Sequence, residues 1–129
     1  MTLTTASLPH FHDGLIKGFL VENDEVRLFV QTESGVPFTL VLSGVERLSI
    51  DGFALGNIIL DCEFLDGRDI PTDILVALNH GGTSDKGLER LRAIVAEGTY
   101  RLFCISPSYG ATVVALVKGF SVQEGISIA

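Results

Sequence analysis

The densest group of chemically capable side chains is His10-Phe11-His12-Asp13, where two imidazoles flank an aromatic residue and a carboxylate follows. Residues two apart in an extended segment project from the same side, so His10 and His12 have the geometry of two ligands to a divalent metal. Asp13 or His80 supplies a third. The same groups, with Tyr109, form the candidate cluster of a small-ligand or metal-dependent enzyme. No second ligand pair with recognisable spacing accompanies them. The plainer expectation is a turn at Asp13-Gly14 leading into a first strand, with no metal and no cofactor.

Ser106-Pro107-Ser108-Tyr109-Gly110 has the look of a nucleophile loop, but a nucleophilic serine needs an oriented base, and G-x-S-x-G is absent. A turn linking two strands is the simpler reading, with Pro107 fixing φ and Tyr109 packing across the sheet end. Asp61 and Glu63 lie two apart on an alternating strand and share a face. Paired carboxylates can act as acid and base, but on an outward face they read as solvated contact residues. Asn79-His80-Gly81-Gly82 lacks the Lys and Ser/Thr of a phosphate loop and reads as a helix stop.

Net charge is −7, from 16 acidic and 9 basic residues, with pI ≈ 4.7. That balance opposes nucleic-acid binding, which gains affinity through clustered Lys and Arg. It favours either simple solubility or pairing with a basic protein. Apolar runs are far shorter than the roughly twenty residues of a membrane helix, and the N-terminus lacks the pattern of a secretory signal, so no membrane contact is expected. Cys62 and Cys104 lack C-x-x-C spacing and read as free buried thiols, which favours the cytoplasm.

The elements that must position these groups follow from periodicity. Val26, Leu28 and Val30 face Phe38, Leu40 and Leu42 across a Glu33-Ser34-Gly35 loop, in the register Val30 to Phe38, Leu28 to Leu40 and Val26 to Leu42. Phe29 and Val41 fall on the opposite, exposed side. An earlier strand spans Leu15 to Val21, its facing ambiguous between Ile16/Leu20 and Phe19/Val21. Later strands are expected at Val45–Ile50 and Ile58–Phe64, giving a four- or five-stranded meander. Residues 72–79 are either a short helix capped by Thr72 or a strand. Leu88, Leu91, Ile94 and Val95 recur at helical spacing between a Ser84 or Thr83 cap and a Gly98 stop. Strands at Tyr100–Ile105 and Ala111–Lys118 close a hairpin, and Phe120 and Val122 suit an edge strand. From Leu102 to Val117 there is no charge at all, so both faces of that hairpin need cover, from a helix, from the meander or from a second copy in a homodimer.

Phe11-His12-Asp13-Gly14, Gly56-Asn57-Ile58-Ile59 and Pro107-Ser108-Tyr109-Gly110-Ala111 together resemble a loose group of small uncharacterised bacterial β-rich proteins. Some of these resemble immunity proteins of toxin–antitoxin competition systems. The resemblance implies a compact β-rich domain without catalysis and supplies no active-site residues.

The expectation is one α+β domain over residues 1–129, with a strongly bent antiparallel sheet and one or two helices on one face. Its function reads as non-enzymatic protein binding, immunity-like, with Asp61, Glu63, Phe29 and Val41 as contacts for a basic partner. Two alternatives stand beside it: the His10/His12/Asp13 enzyme, and an accessory subunit of a larger assembly.

Overall fold

The computed structural model describes residues 8–65, 70–79 and 82–128. They form one antiparallel sheet of eight strands and two helices, an α+β arrangement. The strands are β1 (Leu15–Glu22), β2 (Glu25–Gln31), β3 (Pro37–Ser43), β4 (Arg47–Asp51), β5 (Asn57–Leu65), β6 (Arg101–Tyr109), β7 (Thr112–Val117) and β8 (Gly119–Glu124). Helices α1 (Thr72–Leu78) and α2 (Asp85–Glu97) lie between β5 and β6 in sequence. The order across the sheet is β4-β7-β6-β5-β1-β2-β3-β8.

The central hairpin adopts the expected register: Val26, Leu28 and Val30 oppose Leu42, Leu40 and Phe38. Gly35 takes the left-handed conformation, φ 94°, that the loop demands. β4 departs from the expected meander. It pairs with β7 rather than with its sequence neighbours, while β3 pairs with β8. The chain bends at Gly44, φ 58°, opposite Lys118, whose N–H donates to the Ser43 carbonyl. A single residue, Lys118, therefore separates β7 from β8, although the two lie at different ends of the strand order. Aromatic rings meet across the same span: Phe120 of β8 lies 5.3 Å from Phe103 of β6 and 5.1 Å from Phe64 of β5.

Two apolar clusters hold the chain together. One joins Val26, Leu28, Leu40 and Leu42 to Phe103, Ile105, Val113, Ala115 and Val117. The other packs Leu75, Leu78, Leu91 and Val95 of the helices on Leu102, Cys104, Val114 and Leu116. Alternation along β6 and β7 sends successive side chains to these two clusters in turn. The uncharged hairpin is thus covered on both faces within one chain, and the reason for expecting a second copy over it is gone.

Residues 72–78 are helical, and Leu75 and Leu78 enter the second cluster. Thr72 does not cap this helix; Pro71 holds the cap position without a side-chain bond and Thr72 is already its first residue. α2 begins and ends as the sequence predicts. Ser84 Oγ accepts from the Gly87 N–H, and Gly98 closes the helix in the left-handed conformation. Burial of Leu91 and Val95 contributes about 2 kcal/mol each to its docking.

Val41 is not an exposed contact: only 7% of its surface is accessible. The chain after β8 folds back over its face of the sheet. The Thr39 hydroxyl donates to the Gly125 carbonyl and accepts from the Ser127 N–H, and the Arg27 guanidinium donates to the Ser127 carbonyl and hydroxyl. Phe29, on the same side of the sheet, is half-buried. Ser106–Tyr109 also differ from expectation, being the end of β6 rather than a loop. They pair with β5, and the turn is confined to Gly110-Ala111. Tyr109 is 62% exposed and does not pack across the sheet end.

Candidate functional site

The segment before β1 runs beside β5 and fixes the His10/His12/Asp13 group there. Phe11 is buried, its ring edge-on to Phe38 at 5.7 Å, so the residues flanking it are turned outward. Asp13 has φ 63°, a left-handed conformation that Asp tolerates. Its N–H donates to the Ile59 carbonyl, and the Ile59 N–H donates to the Gly14 carbonyl. A Cβ on Gly14 would stand 2.3 Å from the Gln31 carbonyl oxygen, so this turn requires glycine where it crosses β2.

His12 is exposed but held. Its Nδ1–H donates to the Leu60 carbonyl at 2.7 Å, and its Nε2 lies 3.5 Å from Asp13 Oδ2. The Leu60 bond and the Asp13 carboxylate raise its pKa, with Asp61 and Glu33 adding smaller pushes in the same direction. The Nε2 contact with Asp13 is an ion pair of the protonated ring, and the raised pKa favours that charged form.

Two shallow clefts meet at this histidine. One, of about 470 Å³, is lined by Leu8, Pro9, His10, Phe11, His12, Leu60, Asp61 and Cys62. The other, of about 580 Å³, is lined by His10, His12, Thr32, Glu33 and Ser34. The structure therefore brings together His10, His12, Asp13 and Asp61, and adds Glu33 from the β2–β3 loop, a position whose sequence context signals only a turn. Tyr109 lines neither cleft. His80 lies outside the described residues. Among the described residues, no three His, Cys, Asp or Glu side chains converge as metal ligands.

Asp61 and Glu63 share the outer face of β5, opposite Ser106 and Cys104, with Asp61 exposed and Glu63 half-buried. Simple alternation along β5 is broken by register shifts on both sides of Ile59. Ile59 is buried in the core, Leu60 is turned to solvent, and Cys62 and Phe64 return inward. Cys62 and Cys104 are free. They sit on adjacent strands but join opposite clusters, which keeps their sulfurs on different sides of the sheet. Burial pushes the Cys62 thiol up to about 12 and raises that of Cys104 as well, so neither is a thiolate at neutral pH.

No protein family, curated protein or solved structure matches the chain. Among the described residues, no helix is long and apolar enough to cross a membrane.

Proposed function

We propose that this chain is a non-catalytic, cytoplasmic protein-binding domain, immunity-like in mode, whose acidic cleft around His12 seats a cationic side chain of a basic partner. One observation carries the reading: carboxylates from three separate segments gather at His12, Asp13 3.5 Å from its Nε2 and Asp61 and Glu33 each lining one of the two clefts, which makes the potential there negative. A Lys or Arg head group entering either cleft meets that potential, and the excess of acidic residues steers a basic protein toward it.

The scaffold for such a site is a strongly bent sheet. Strands five places apart in a flat sheet stand roughly 24 Å apart, whereas the Phe103 and Phe120 rings are 5.3 Å from each other, which supports curling of the sheet around its core.

The test is affinity capture from native lysate, comparing the wild-type chain with Asp61→Asn/Glu33→Gln. A captured protein of basic pI, released by moderate salt and absent from the double variant, supports the reading. Equal capture by both forms, or a captured protein of acidic pI, overturns it.

A further inference from the structure

β1 is paired from end to end on one side only, with a single break at Lys17. Toward β2 the pairing runs from Leu15 to Glu22, whereas toward β5 only Leu15 and Ile16 have partners, Ile58 and Asn57. The hairpin turn decides which backbone groups are left over. Asn23-Asp24 is a two-residue loop, so Glu22 and Glu25 form a hydrogen-bonded pair and alternation gives Leu20 the same role. Phe19 and Val21 then direct N–H and C=O away from β2. Among the described residues no backbone bond closes that side.

The side chains there are apolar and open to solvent. Phe19 is 42% exposed, Leu20 38% and Val21 51%, and Gly18-Phe19-Leu20-Val21 carries no charge. The outer strands β4 and β8, by contrast, bear Arg47 and Asp51, and Glu124. Charge on an edge is the usual guard against strand addition, and this stretch lacks it.

We infer that this edge of β1 is a homodimer seam, at which a second copy of the chain adds its own β1 antiparallel. Two observations select a second copy as the occupant. The residues with outward backbone groups are spaced two apart, so Phe19 of one copy can oppose Val21 of the other, each pair exchanging both N–H···O=C bonds about a two-fold axis at Leu20. Charge is complementary in that same register: Glu22 of one strand opposes Gly18 of the other, one position from that strand's Lys17, at both ends of the seam. All three exposed apolar side chains gain cover, with Val21 of the second copy lying against Phe19 and the Phe53 ring that stacks on it at 5.4 Å. The seam lies away from the His12 cleft and does not depend on how that cleft is used.

Val21→Pro tests the seam, because it removes an N–H that faces the open side while leaving the β1–β2 ladder its bonds. Sedimentation equilibrium is expected to give a dimer for the wild-type chain and a monomer for Val21→Pro and for Leu20→Arg, which touches no backbone bond. Lys17→Glu weakens the dimer, and Lys17→Glu/Glu22→Lys restores it. Hydrogen exchange at the Phe19 and Val21 amides slows as wild-type concentration rises, whereas exchange at Leu20 does not change. A wild-type chain that is monomeric at every concentration overturns the inference, as does a dimer that survives Val21→Pro and Leu20→Arg. Protection of these amides by added cationic extended peptide and not by the chain's own concentration also overturns it, assigning the edge to a basic partner instead.

Discussion

The side-chain oxygen of Asn57 accepts a hydrogen bond from the Ala111 N–H at 3.0 Å, joining positions 54 apart in sequence. The same oxygen accepts from the Ala54 N–H, while the amide nitrogen donates to the Ala54 and Ile16 carbonyls. One buried amide thereby fastens the loop before β5, the start of the sheet at β1 and the turn between β6 and β7. Gly110 makes room for it, since a Cβ there would stand 2.5 Å from Asn57 Oδ1. Gly56–Ile59 and Pro107–Ala111 meet through this side chain, and Phe11–Gly14 joins them through Ile59. What these three stretches share is a junction in the sheet, which accounts for their Gly and Asn content without any appeal to catalysis.

Asn57→Ala leaves two N–H donors and two carbonyls short of partners in a dry site, so a loss of about 3 kcal/mol is expected. Urea denaturation should show a lowered midpoint with an unchanged slope. Gly110→Ala should destabilise by a similar route, because its φ of 89° and the contact with Asn57 both oppose a side chain.

Phe103→Ala and Phe120→Ala are each expected to cost about 3–5 kcal/mol. Their rings touch and share Phe64, so the double variant should lose less than the sum of the single losses. A double-mutant cycle measured by denaturation checks this, and additive losses would mean that the two strands pack independently.

His12 should titrate above 6.5 in the folded chain. A raised folded pKa makes protonation favour the native state, so this contribution is complete below the unfolded pKa and is lost as pH rises through the folded value. Following the imidazole C–H resonances by NMR, Asp13→Asn should lower the His12 pKa while leaving the larger effect of the Leu60 carbonyl in place.

Cys62 should resist thiol reagents at neutral pH in the native state and react fully in denaturant, as its pKa of about 12 and its packing against the core require. Cys104 should follow the same course, being buried under the helices. Rapid labelling of either thiol under native conditions would mean that the β5–β6 pair opens locally.

The hairpin register and α2 were legible in the sequence because each rests on a local period with its own turn or cap: Gly35 in one, Ser84 and Gly98 in the other. The facing of β1 was not, and the reason is now visible. An irregularity between Ile16 and Gly18 reverses the parity, so Ile16 and Phe19 both lie on the core side, and no single alternation describes the strand. The register shifts beside Ile59 defeat the pattern in β5 in the same way. The pairing of β4 with β7 and the return of residues 125–128 over Thr39 are long-range contacts that no local pattern encodes. Of the site, His10, His12 and Asp13 were readable as a motif. Glu33 was not, because it reaches the cleft from a loop that looks like simple turn chemistry.

The single-residue passage at Lys118 has a consequence for biosynthesis. β3 must wait for β8 to be made before its far edge is paired, and Thr39 and Gly125 are 86 positions apart. Throughout that interval a nascent chain presents β3 as a bare, apolar template while the hairpins behind it are already able to form. Closure comes as one late, non-local step, so translation that stalls between β7 and β8 should release a chain prone to aggregation rather than a loosened version of the native fold.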